Sequence, residues 1–187
     1  MLESEMRERF SFEPRNFFLD AWSLLRWPSE FFARLEPDGP LTPPTVHIAL
    51  CALAAGLVDT AMMILGLQEG TGSVVINLLT IIFFPPFLVA YVLLMSLLYH
   101  GFCKLLGGYG TWRASYRALS ALCVTTPLGL VAGRFDALWL PLLGYWFYLL
   151  LQATVGIHAV RPRRAWAAFG GLYGLLLLAS LIVRVFA

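Results

Sequence analysis

Acidic side chains all but disappear after residue 39. Eight of the eleven lie before that point, and only Asp59, Glu69 and Asp136 follow. Lysine is scarcer still, with Lys104 alone beside twelve arginines. Charged residues form 13% of the chain, well below the ~25% of an ordinary soluble domain, which excludes a soluble body for most of the 187 residues. The three cysteines, Cys51, Cys103 and Cys123, fall within or beside apolar runs, which argues against a disulfide framework. No apolar h-region stands near the charged start MLESEMRERF, so no signal peptide is expected. No Ser-His-Asp order, paired carboxylates or nucleotide motif points to catalysis, so neither enzyme activity nor a cofactor is expected. The acidic N-terminus lacks the basic, aromatic-interleaved surface that nucleic acid requires.

What the chain has instead is apolar length. Hydrophobic residues make up 59% of it and the mean hydropathy is +0.76. A helix needs about 20 apolar residues to cross roughly 30 Å of hydrocarbon. Five runs meet that requirement, at about 46–67, 73–103, 112–133, 137–159 and 165–186. The reading is an all-α, polytopic membrane protein: an N-terminal segment, 1–45, and a five-helix transmembrane domain, 46–187. The second run contains Pro85-Pro86, which remove backbone donors and predict a kink or break facing protein. Gly129 to Gly133, Gly170-Gly171 to Gly174, and Ala52 to Gly56 carry small-residue spacings that nominate helix-packing faces. Trp139, Tyr145, Trp146 and Tyr148 gather in the fourth run, as interface anchors and packing residues.

Basic residues in the flanks set the orientation. With the N-terminus inside, eleven of the thirteen fall on the cytoplasmic side, and only Arg134 and Arg184 fall outside. The expectation is a multi-pass protein of the inner membrane, N-terminus cytoplasmic and C-terminus outside. Within the N-terminal segment, Phe17, Phe18, Trp22 and Leu25 share one helical face, and Phe31, Phe32 and Leu35 begin another after Pro28. Such an amphipathic stretch predicts a helix lying flat at the interface, the alternative being a cap folded onto the loops.

The segment HGFCKLLGGYGTWRASYRAL, His100 to Leu119, joins the second and third runs. A phosphate loop would follow a strand and end in Lys-Ser/Thr or a spaced third glycine, and neither is present. Gly107, Gly108 and Gly110 instead permit a tight reversal, and Thr111 is placed to cap the next helix. Arg113 and Arg117 lie one turn apart beside that cap, where a lipid phosphate could be held.

These residues carry a resemblance. The form H-x-x-x-x-L-L-G-G-x-G-[ST]-[FW]-R-x-[ST] is met by His100, Leu105, Leu106, Gly107, Gly108, Gly110, Thr111, Trp112, Arg113 and Ser115. It resembles the Yip family, the Ypt/Rab-interacting membrane proteins and their prokaryotic relatives. RWPSEFFARL, Arg26 to Leu35, resembles the entry segment of bacterial members, and GIHAVRPRRAWAA, Gly156 to Ala168, loosely resembles their fourth loop. The resemblance implies five helices, a cytoplasmic N-terminus and no catalytic activity. The acidic Tyr-Gly-Pro motif of eukaryotic members is absent, which argues against a GTPase partner.

Two polar constellations complete the reading. Asp59 sits deep in the first run, level with Thr80 and about a turn from Asn77 if the first two runs form a hairpin, with Arg134 in reach. A carboxylate there costs roughly 2.5–3.5 kcal/mol on insertion scales, so it needs a partner or water. It is either an ion or proton site or a hydrogen-bonded packing contact. At the inner end, His47, Cys51, His100, Cys103 and His158 share one depth with zinc-compatible chemistry, although histidine suits an interface without metal and none is expected. The conclusion is a non-enzymatic protein that organises or recruits membrane proteins or lipids through its cytoplasmic face: the elbow Gly107, Gly108, Gly110, Thr111, Arg113 and Arg117, with Arg161, Arg163 and Arg164. Expected partners are membrane lipids and another membrane protein or a second copy. The rival is a small transporter or channel built on Asp59, Asn77 and Thr80.

Overall fold

The computed structural model describes residues 16–67 and 74–186. The charged start with Arg7, Arg9 and Arg15, and most of the loop after the first long helix, lie outside the described residues, as does the side chain of Asn77. The order is α1 (Phe17–Arg26), α2 (Pro28–Arg34), α3 (Thr42–Ile64), α4 (Val74–Leu105), α5 (Trp112–Leu122), a 3₁₀ turn (Cys123–Thr125), α6 (Thr126–Ala132), α7 (Asp136–His158) and α8 (Pro162–Phe186). Within α3, α4, α7 and α8, four stretches are long and apolar enough to cross a membrane: Thr42–Ile64, Leu79–Leu105, Leu138–His158 and Pro162–Ile182.

Local chemistry sets the helix ends. Pro43 and Pro44 open α3, where a missing amide costs nothing. Gly66, at φ +69°, closes it: Leu67 N–H reaches back to Met62 O at 2.9 Å, the left-handed terminator that glycine favours. Helix α4 runs through Pro85 and Pro86 without a break, where the sequence predicts a kink or an interruption. Pro85 leaves the Ile81 carbonyl without its helical donor. At that level α3 comes closest, since a Cβ on Gly56 would lie 3.2 Å from Ile81 Cγ1. The Ala52–Gly56 face thus does serve close helix approach. Gly129 likewise faces the Trp146 ring, whereas Gly170, Gly171 and Gly174 meet nothing within 4 Å among the described residues.

The expected third span, 112–133, is divided. Pro127 removes the amide that would continue the α5 ladder to Cys123 O, and the backbone tightens into the 3₁₀ turn before α6 resumes. Helix α5 sits at the centre, packed by α3, α4 and α7. Ala114, Ser115, Tyr116, Arg117, Ala118, Ser120 and Ala121 are all buried. A polar helix is the core of an otherwise apolar bundle.

The N-terminal helices form a hairpin that runs along the bundle rather than flat across its end. Phe32 packs on Gly156 of α7, while the Leu25 carbonyl accepts from the Tyr145 hydroxyl at 2.5 Å. Those two α7 positions lie about 16 Å apart along the axis, so α2 lies alongside α7. Phe31, Phe32 and Leu35, expected as a second interfacial face, are buried in the main apolar core. Phe18, Leu19 and Trp22 of α1 remain exposed, and the Arg26 guanidinium stacks over Trp27 at 4.6 Å.

Candidate functional site at the basic end

Helix α4 finishes and α8 begins at one end of the bundle, and most described basic residues gather there. Arg113, Arg161, Arg163, Arg164 and Lys104 are exposed. The loop between α4 and α5 explains its glycines. Gly107, at φ +85°, terminates α4, and Gly108 N–H bonds Cys103 O at 2.8 Å. Tyr109 N–H then donates to His158 O at 2.9 Å, docking the loop on the end of α7. A Cβ on Gly108 would sit 2.9 Å from Cys103 O and 3.1 Å from His158 Cβ, and one on Gly110 would overlap the His158 imidazole. The sequence marks these glycines as turn-makers; Gly108 is also needed for close approach to Cys103 O, Val160 and His158, and Gly110 for close approach to the His158 ring.

Thr111 caps α5 as expected, its Oγ1 accepting from Ala114 N–H at 3.2 Å, and the same hydroxyl donates to Asp38 Oδ1 at 2.8 Å. From this cap a polar spine runs down α5. Ser115 Oγ lies 3.0 Å from His158 Nε2 and 3.4 Å from His100 Nδ1, so one hydroxyl ties α4, α5 and α7 together. The Tyr116 and Thr45 hydroxyls lie 2.7 Å apart and tie α5 to α3. Trp112 Nε1 donates to Ser96 Oγ at 2.9 Å.

Arg117 departs furthest from expectation. It does not stand beside Arg113 as a contact for lipid or partner. It is 2% exposed, and its guanidinium clamps the segment between α2 and α3, with Nε donating to Glu36 O at 2.6 Å and Nη1 to Pro40 O at 2.7 Å. Gly39 lets the backbone pass over it, since a Cβ there would lie 2.7 Å from Nη1. Ala114, Ala118 and Ala121, at helical spacing around Arg117, were the sequence signal of a buried face.

The remaining candidates separate. Cys51 lies in the second apolar core with Cys123, His47 packs on Phe17 at 5.1 Å, and Cys103 faces Thr154 Oγ1 at 3.9 Å. Among the described residues no three potential metal ligands converge. At the opposite end, Asp59 Oδ1 faces an Arg134 guanidinium nitrogen at 3.9 Å. Thr80 is exposed on α4, within about a turn of the depth of Asp59 through the Gly56–Ile81 contact.

Long apolar helices enclosing one polar helix whose side chains are satisfied internally define an integral, multi-pass membrane protein. Residues 22–184 match the family model described as Yip1 domain, and the chain belongs to that family. No curated protein and no solved structure gave a match.

Proposed function

We propose that this protein is a non-enzymatic organiser of the membrane, recruiting membrane proteins or lipids through its basic end, which faces the cytoplasm of an inner membrane. In this reading α5, the 3₁₀ turn and α6 together make the fifth crossing, with the N-terminus inside and the C-terminus outside. A continuous stretch of 21 residues rises about 31 Å, enough for the hydrocarbon. The exposed aromatics of α1 face the lipid of the cytoplasmic leaflet.

One observation carries the reading: the loops of the basic end are locked from below and exposed above. Backbone bonds to His158, the Thr111–Asp38 contact and the Arg117 clamp fix them. Tyr109 at 85% exposure, Leu105 at 88%, and Arg113 and Arg161 are presented outward. A rigid patch mixing apolar and cationic side chains suits recruitment of an acidic or amphipathic partner, or of a second copy. The transport reading is weaker, because the Asp59 carboxylate has Arg134 as a counter-ion.

In-membrane crosslinking followed by mass spectrometry tests the proposal, comparing the native chain with Arg113→Ala/Arg161→Ala. The expected result is a neighbour captured by the native chain and lost from the variant. An unchanged set of crosslinks would sink the recruitment reading. Asp59→Asn is expected to leave capture intact, whereas a transporter built on that carboxylate would lose flux.

A further inference from the structure

An apolar cavity runs down the bundle from the basic end. A space of about 560 Å³ opens between α4 and α8, with α5, α6 and α7 behind it. Its walls are almost wholly apolar, Leu98, Phe102, Leu122, Leu150 and Leu172 among them. It extends along α4 from Leu88 to Phe102, about 21 Å, which exceeds the roughly 15 Å depth of one leaflet. Helix α4 packs chiefly on α3 and α5, and α8 chiefly on α7; the two meet at Phe102 and Phe169, whose rings lie 5.4 Å apart, and below that contact the gap stays open sideways. Leu98 and Leu172, on opposite walls, are 60% and 45% exposed.

Beyond the Phe102–Phe169 contact, the end of the bundle is cationic. Arg164 reaches across from α8 to the end of α4, its Nη1 lying 3.2 Å from where a Cβ on Gly107 would stand. Arg161 and Arg163 flank it, exposed. All three stand at the N-terminal end of a 25-residue helix with no acidic residue in its first turn. Cations at the positive end of a helix dipole are unfavourable, and an anion placed among them relieves that repulsion. A basic head between membrane helices above a deep apolar slot matches one class of molecule.

We propose that the α4–α8 groove holds a single anionic phospholipid of the adjoining leaflet, one acyl chain in the slot and its phosphate among Arg161, Arg163 and Arg164. The inference uses the cytoplasmic placement of the basic end proposed above but not partner recruitment. A lipid bound here would close the lateral gap and fix α8, which otherwise packs chiefly on α7.

Native mass spectrometry of the detergent-purified full chain, with dioleoylphosphatidylglycerol or dioleoylphosphatidylcholine added, tests it with no partner present. The native chain is expected to retain one phosphatidylglycerol in preference to phosphatidylcholine by roughly tenfold or more, and Arg164→Ala to reduce that preference by roughly fivefold. Leu98→Trp/Leu172→Trp, whose larger rings grow into the open slot, is expected to lose the bound lipid. Equal retention of the two lipids by the native chain would overturn the proposal without reference to any variant. So would a dimer peak that persists while lipid is displaced, because the occupant would then be a second copy. Loss of lipid preference alongside intact crosslinked neighbours would overturn this inference and leave the recruitment reading standing.

Discussion

Replacing Arg117 with alanine removes the buried side chain that holds the segment between α2 and α3 against the bundle by two backbone carbonyls, leaving the Thr111–Asp38 contact as a second tie. The guanidinium makes two short bonds to backbone carbonyls, at 2.6 and 2.7 Å, and it is buried. A hydrogen bond from a charged group is worth about 1.5–3 kcal/mol, so the pair contributes about 3–6 kcal/mol before correction. The freed carbonyls belong to a segment whose Pro37, Asp38 and Pro40 are exposed, so water recovers part of that on release. A net loss of about 3 kcal/mol is expected. Arg117→Lys should recover less than half, because an ammonium cannot span both carbonyls as a planar fork does. Hydrogen exchange reads the effect directly: amides of 36–41 and of α1 and α2 should exchange faster in Arg117→Ala, while those in the middle of α3 and α7 change little. Thermal unfolding in detergent should fall in parallel. Unchanged protection over 36–41 together with an unchanged melting temperature would refute the clamp, and would return Arg117 to the exposed basic surface beside Arg113.

Three further expectations rest on backbone geometry. Gly110→Ala would drive a methyl into the His158 ring, and a loss of about 1–3 kcal/mol is expected, read as a lower melting temperature. Ala159 closes α7 at φ 52°, with Val160 N–H bonded back to Thr154 O. A left-handed alanine costs about 1–2 kcal/mol, so Ala159→Gly should raise the melting temperature slightly, and a fall would contradict the assigned terminator. Gly170→Leu/Gly174→Leu should not lower monomer stability, because nothing among the described residues lies within 4 Å of either glycine and leucine is the better helix former; a drop in self-crosslinking with no fall in the melt would place a second copy on that face.

Features that depend on hydropathy or on a single local bond were legible in the sequence. The four long helices follow from apolar length, and the Thr111 cap from a hydroxyl ahead of a helical run. The Ala52–Gly56 face followed from small residues one turn apart. What could not be read were contacts made across long chain separations. Arg117 and Pro40 stand 77 residues apart, and counting basic residues in a flank treats Arg117 and Arg113 alike although only one of them is exposed. Gly108 and Gly110 look like any turn until His158, almost fifty positions later, is folded against them. The N-terminal aromatics had the periodicity of an interfacial helix, but periodicity cannot tell a face that meets lipid from one that meets α7. Phe32 took the second course, because Gly156 leaves room for it there.

The central polar helix also determines how the N-terminal segment should be studied. In the proposed reading α5 crosses the membrane, where an arginine costs roughly 2.5–3.5 kcal/mol on insertion scales, and Ser115, Tyr116 and Ser120 add to that burden. Each of these needs a partner: Ser115 finds histidines on α4 and α7, Tyr116 finds Thr45 on α3, and Arg117 finds the segment leading from α2. Residues 36–40 are therefore part of the solvent that α5 requires, quite apart from any recruiting role. Deleting them would leave Arg117 buried without Glu36 O and Pro40 O, so loss of a membrane partner after truncation would report misfolding as readily as a lost docking surface. Substitutions at Arg113 and Arg161, which are exposed, alter the basic patch without touching that internal network. Of the two, Arg113 also lies outside the lipid site proposed above, so a partner lost from Arg113→Ala alone can be attributed to the surface itself.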